Sequence, residues 1–294
     1  MDFEIRIGKW VEDLVTFMLD HFQPTFDAIA TVVNGFGGAV DFVLVGAPAW
    51  LLIGLIVATS LWRVGIGFAV FTVASLLLIV GMGLWTETAS TLGLVLTSTL
   101  LCLLLGVPLG VWMARNRVVE SVVRTTLDFM QTMPAFVYLI PAVMFFGLGR
   151  VPGVLATVIF AMPPAVRLTA LGIQQVPAEI VEAGKAFGCH DRQLLFKVQL
   201  PNALPSIMAG VNQTMMMALS MIVIASMIGA GGLGNVVLQG IQRLDIALGF
   251  ESGLSVVLLA IILDRITQSF GRTAAAARPA RFALLRRFLP VPAR

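Results

Sequence analysis

The sequence predicts an all-α polytopic membrane protein with about seven transmembrane helices. Of its 294 residues, 58% are hydrophobic and 12% are charged, which is about half the charged share of a soluble domain. The mean hydropathy is +0.96. The apolar residues are gathered into runs near the roughly 20 residues that a helix needs to cross the hydrocarbon core. A chain of this composition is not a cytosolic enzyme, a disordered protein or a secreted disulfide scaffold. Cys102 and Cys189 lie in unlike surroundings and do not suggest a bridge. His21 and His190 have too few ligand-type neighbours for a metal site.

Seven runs qualify as spans: 44–62, 64–83, 89–113, 127–148, 152–172, 203–229 and 252–271. Only Trp62 and Arg63 separate the first two, so their turn is tight. The fifth is the weakest, because Pro163 and Pro164 interrupt it and Arg167 follows. A charge at the bilayer centre costs about 2.5–3.5 kcal/mol on insertion scales, so Arg167 belongs near an end. Pro134 and Pro141 predict kinks in the fourth span, and Gly106 and Gly110 predict close helix approach in the third.

The charges set the topology. Arg115, Arg117 and Arg124 follow span three, Lys185, Arg192 and Lys197 follow span five, and an arginine-rich tail follows span seven. The positive-inside rule places all three in the cytoplasm. An even number of spans must then separate each from the next, which retains span five and puts the acidic N-terminus outside. Three zones follow: residues 1–42, a non-cytoplasmic amphipathic segment; 43–272, the membrane domain; and 273–294, a basic cytoplasmic tail. In the first zone Trp10, Leu14, Phe17 and Phe22 recur at helical spacing, the pattern of a helix lying on a membrane surface or packed on the rest of the protein. No basic n-region with an apolar core marks a cleavable signal peptide. The basic tail suits anionic lipid better than nucleic acid, and no nucleic-acid partner is expected.

The loop at 176–201 carries the most information. Pro177 suits a first helical turn, and Glu179 and Glu182 suit its positive end. Ile180, Gly184 and Phe187 share a face, and Gly188 supplies a left-handed cap. Asp191 is expected to cap a second helix bearing Leu194, Leu195 and Val198, and Pro201 to stop it. The product is two short helices hinged at a glycine. Their apolar stripe either docks a partner or packs on the protein's own spans.

Glu182-Ala183-Gly184, three residues, Gly188, nine residues, then Val198-Gln199-Leu200-Pro201 resembles the EAA loop of ABC importer permeases, with Gly184 in place of the third alanine. Leu127 to Gly149 and Asn212 to Gly234 resemble segments of the permease subunit of glycine betaine/proline/choline importers. The likeness covers roughly residues 85–272. It implies a type I ABC importer permease fold in the cell inner (cytoplasmic) membrane. It also implies a homodimer of permeases, a separate ABC ATPase and a periplasmic or tethered substrate-binding protein. The EAA loop would couple ATPase closure to movement of the spans through Glu182, Ala183, Gly184, Gly188, Leu200 and Pro201. The chain would then be no enzyme and would bind no cofactor of its own, ATP being used by the partner. Consistently, it has no G-x-x-x-x-G-K-[ST]. Gly229, Gly231 and Gly234 spell G-x-G-x-x-G, but they follow an apolar helix and not a strand, so a tight external turn is expected there.

The cargo implied is a quaternary ammonium or related osmolyte: glycine betaine, choline or proline. Aromatic faces hold quaternary ammonium groups best. The candidates for the pathway are Gln131, Phe136 and Tyr138 in span four, and Asn212, Gln213 and Met217 in span six. Phe129, Phe145 and Phe146 lie nearby in sequence, and for any one of these side chains core or lipid packing competes. Asp264 and Arg265 are read as interfacial. The alternative is an ion-coupled secondary transporter or channel for small solutes. That class places carboxylates within spans, and here the mid-spans read as almost uncharged. A membrane-bound enzyme ranks third.

Overall fold

A computed structural model describes residues 7–271, and these are all helix and short connection. In chain order the helices are α1 Ile7–Leu44, α2 Ala49–Arg63, α3 Ile66–Gly81, α4 Trp85–Arg115, α5 Arg117–Thr132, α6 Ala135–Phe146, α7 Arg150–Gln174, α8 Ala178–Ala186, α9 Asp191–Gln193, α10 Leu200–Ala225, α11 Leu233–Arg243 and α12 Ile246–Gly271. The basic tail at 273–294 and the first six residues lie outside the described residues.

The centre of the bundle is α4, α7 and α10, with α12 on the far side of α10. Small residues make this possible, because packing and not the hydrophobic effect joins helices in lipid. A Cβ on Gly110 would stand 2.6 Å from the Val166 carbonyl oxygen and 2.7 Å from Thr169 Cβ, so only glycine lets α4 lie this close to α7. Leu94, Val95 and Cys102 of α4, Val154 and Ala161 of α7 and Ala218 and Ile222 of α10 fill the main core.

Four expectations change. First, the segment read as a surface helix ending near residue 42 is part of one 38-residue helix, α1, which runs through Pro24 to Leu44. Residues Gly8–Leu44 are long and apolar enough to cross a membrane, so periodicity alone under-read this helix. Phe26, Ala30, Val33, Gly37, Asp41 and Leu44 form a stripe toward the body. Phe26 stacks on Phe145 at 4.4 Å, Ala30, Val33 and Leu44 join the main core, and Asp41 pairs with Arg150.

Second, the first two expected spans are the short helices α2 and α3, with 15 and 16 residues. At about 1.5 Å per residue they fall short of a ~30 Å hydrocarbon core. Pro48 opens α2 and Gly65, at φ +131°, opens α3. Arg63 lies at the turn between them. Its guanidinium donates to the Ser269 carbonyl at 3.0 Å and stacks on Phe270 at 4.2 Å. This turn therefore sits at the same end as the close of α12.

Third, the expected span at 127–148 is broken. α5 and α6 meet at 97°. Met133 is extended (φ −70°, ψ 135°) ahead of Pro134, the conformation forced on a residue before proline. Pro141, Pro163 and Pro164, by contrast, lie inside continuous helices. Among the described residues five helices are long and apolar enough to span, or six with the bent pair counted once.

Fourth, the structure adds a helix, α11, that the sequence pattern does not predict. It follows the glycine turn, where Gly229, Gly231 and Gly232 all have positive φ (84°, 87° and 71°), as a tight turn requires. The Leu233 N–H donates to Thr91 Oγ1 at 2.8 Å and thereby anchors the start of α11 on α4.

Candidate functional site

The loop predicted to be a helical hairpin is one, and its turn chemistry is explicit. α8 ends at Ala186. The Gly188 N–H donates to the Lys185 carbonyl at 2.9 Å and the Cys189 N–H to the Gly184 carbonyl at 3.1 Å. With Gly188 at φ +78° this is a Schellman closure, which satisfies the last carbonyls of the helix. The chain reverses and α9 begins. The residue ahead of α9 is His190, with Asp191 already inside the helix, so the expected Asp191 cap is corrected. The His190 N–H is taken by Gln193 Oε1 at 3.1 Å.

Pro201 does not stop the second helix. α9 widens into a π-helical stretch at Leu194–Gln199 and continues into α10. In it the Leu200 N–H reaches the Leu195 carbonyl, five residues back. The wider turn shifts the hydrogen-bond frame and accommodates a residue that has no N–H to give. The second arm of the hairpin is therefore continuous with a central membrane helix. Leu200 and Pro201 stand at that junction.

The two arms touch through Gly184. A Cβ there would lie 2.8 Å from Leu194 Cδ1 and 3.4 Å from Val198 Cγ2. Leu194 and Leu195 are buried, and Leu195 joins Ile173 of α7 and Ala203 of α10 in a small core. Gly184, Leu194, Leu195 and Val198 of the predicted stripe thus pack inward. The rest does not. Of the stripe, Phe187 is 89% exposed and Ile180 is exposed too; Phe196, outside it, is 65% exposed, and Glu182 and Ala183 are also exposed. The sequence places Phe187 on the shared face with Ile180 and Gly184, without marking it as exposed. Its position one residue before the capping glycine, at the turn, was the available signal. Arg115 at the end of α4 approaches Asp191 at 3.9 Å. This exposed pair contributes about 0–1 kcal/mol and orients the hairpin more than it holds it.

The candidate pathway residues do not converge on one cavity. Gln131 ends α5, and Phe136, 51% exposed, lies on α6. Tyr138 donates its hydroxyl to the Met130 carbonyl across the α5–α6 break and packs near Phe160 and Met221. It therefore braces the bend. Met217 packs against the main core. Asn212 and Gln213 do share a groove, between α10 and α12. Phe145 and Phe146 pack on Phe26 of α1 and do not form an open aromatic cage. Arg167 sits within α7, paired with Asp128 of α5 beside Arg124, and does not reach the helix end alone.

An all-helical bundle with broken spans and an exposed hairpin continuous with a central helix defines a transport permease of the ABC importer type. The comparisons agree. The family described as binding-protein-dependent transport system inner membrane component matches residues 106–274, and the chain belongs to that family. It is 51% identical over 269 residues to the glycine betaine/proline betaine permease ProW of Escherichia coli, spanning 91% of this chain and 76% of that one. It is 52% identical to the glycine betaine/carnitine permease GbuB of Listeria monocytogenes, over 92% of this chain and 97% of that one. It is 47% identical to the glycine betaine permease OpuAB of Bacillus subtilis, over 90% and 94%. Among solved structures, the inward-facing MetNI methionine ABC transporter superposes with a TM-score of 0.56 at 22% identity, covering 62% of this chain and 94% of that one. That likeness concerns the fold. The chain is a multi-pass inner-membrane permease subunit and not an enzyme, and the ion-coupled alternative is set aside.

Proposed function

We propose that this chain forms the membrane pathway of an ATP-driven importer for glycine betaine or a related quaternary ammonium osmolyte. It works as a homodimer with a separate ABC ATPase and a substrate-binding protein. The observation that carries the coupling half is the hairpin. Phe187, Phe196 and Ile180 are exposed on the hairpin, as are Glu182 and Ala183, and the second arm continues through a π-helical stretch into α10. The ATPase docks on those residues, and its closure tilts α10 and the helices packed on it. The cargo half rests on relatives of 47–52% identity whose names specify glycine betaine with proline betaine or carnitine.

The hairpin, the α2–α3 turn with Arg63 and the basic ends of α4 and α5 share one face, which we assign to the cytoplasm by the positive-inside rule. Glu87 and Asp245 then lie on the external side with Arg150, whose charge is matched by Asp41. On the same rule we assign the basic tail to the cytoplasm, and we place residues 1–42 outside, with α1 lying along the outer surface rather than crossing.

ATP-dependent uptake of labelled glycine betaine, choline and proline into vesicles holding the whole complex tests both halves. Uptake of one of them, lost with Glu182→Lys, supports the reading. ATP hydrolysis with no uptake of any removes the cargo assignment, and uptake without ATP overturns the class.

A further inference from the structure

Asp264 was expected at the membrane interface. It lies seven residues before the last described residue of α12, about 10 Å along the helix at 1.5 Å per residue. Two amides hold it. Asn212 Nδ2, from the middle of α10, donates to Asp264 Oδ1 at 2.9 Å. Gln268 Nε2, one turn on, donates to both carboxylate oxygens at 2.8 Å. A carboxylate only accepts, so both amides must turn nitrogen toward it and oxygen away. Amides hold a charge without neutralising it. Among the described residues Asp264 forms no ion pair, and Asn212 Oδ1 is buried with no partner.

Asn212, Gln213 and Gln268 line a groove of about 550 Å³ between α10 and α12, floored by Leu168 of α7. A carboxylate on a membrane helix, behind a groove lined in part by amides, is not expected to face lipid. It faces a water-filled path or another protein surface.

We propose that this groove is a way station for the cationic end of the transported solute. Asp264 supplies the charge from behind the groove, and the side chains of Asn212, Gln213 and Gln268 supply its polar lining. The site suits a quaternary ammonium group because the charge behind it is negative, while the amide donors of Asn212 and Gln268 are already committed to Asp264. It has no aromatic wall, so it binds weakly, as a site that must release its cargo on every cycle requires. This inference rests on the importer reading above, and it names residues for the passage that the reading leaves open.

The test uses the reconstituted complex of permease, ATPase and binding protein, with uptake of labelled glycine betaine and ATP hydrolysis measured together. Asp264→Asn keeps the side-chain shape and removes the charge. Gln213→Lys adds a cation to the groove at an exposed position that makes no hydrogen bond among the described residues. Each variant is expected to assemble and hydrolyse ATP while solute moved per ATP falls about tenfold, the loss expected for one charge-assisted contact, and Asp264→Glu recovers most of it. Unchanged solute per ATP in both Asp264→Asn and Gln213→Lys overturns the proposal. If Asp264→Asn does not assemble, Gln213→Lys alone decides. Absence of glycine betaine uptake by the unmodified complex is a different failure, that of the cargo reading itself.

Discussion

Gly184 packs against Leu194 so closely that a Cβ at Gly184 would stand 2.8 Å from Leu194 Cδ1. This contact sets the spacing of the two hairpin arms. The atom opposite is the tip of a flexible side chain, so a single methyl is accommodated by a change of rotamer, whereas a branched side chain also meets Val198. Gly184→Ala is therefore expected to retain uptake within about twofold. Gly184→Val should cost about 1–3 kcal/mol of overpacking, read as uptake lost at least about tenfold more strongly than ATP hydrolysis.

Phe187 makes the opposite kind of contribution. It is 89% exposed, so the folded permease gains little from it. Phe187→Ala should leave the melting temperature of the detergent-solubilised permease within about 1 °C, because surface changes away from special features are nearly neutral. Affinity for the ATPase should fall by about 2 kcal/mol or roughly 30-fold, the size of an interface hot spot. Titration of the purified ATPase against permease in nanodiscs measures it.

Gly188 is required by backbone geometry at φ +78°. Placing a Cβ there costs about 1–2 kcal/mol, and proline is excluded from positive φ altogether. Gly188→Pro should leave a membrane-inserted protein whose hairpin no longer couples, seen as a loss of transport with the expression level retained. Gly188→Asn, which tolerates the left-handed region, should keep most activity.

The turn that starts α11 offers a stability test away from the hairpin. Thr91 Oγ1 accepts the Leu233 N–H at 2.8 Å in a buried setting. Thr91→Val is nearly isosteric and leaves that N–H without a partner, at a cost of about 1–3 kcal/mol. The melting temperature of the permease should fall by several degrees, while ATPase affinity is unchanged because the site is at the opposite end from the hairpin.

Much of the hairpin was legible because its signals are local. Pro177, Gly188 and the spacing of Ile180, Gly184 and Phe187 each report on a few neighbouring residues. What failed to read depended on partners distant in sequence or on an unusual turn. Pro201 looks like a stop until the π-helical stretch before it is known. Met133–Pro134 could be read as a kink, but its 97° angle is fixed by how α6 packs on α7. α11 alternates polar and apolar residues too finely for a span and was passed over. Asn212 and Asp264 are 52 residues apart, so no window along the chain brings them together. α1 reads as amphipathic because its first half is, while the stripe from Phe26 to Leu44 gains meaning only against α4, α6 and α7.

The most direct test of the central claim, that the hairpin transmits ATPase closure to the pathway, is uptake and hydrolysis measured together in vesicles containing the whole complex with Glu182→Lys. The account predicts a protein that inserts and folds as the unmodified permease does, with ATP-dependent glycine betaine uptake reduced at least about tenfold as the reversed charge disrupts an interface contact of about 1.4 kcal/mol or more. Unchanged uptake per ATP, together with the same result for Gly188→Pro, would contradict it.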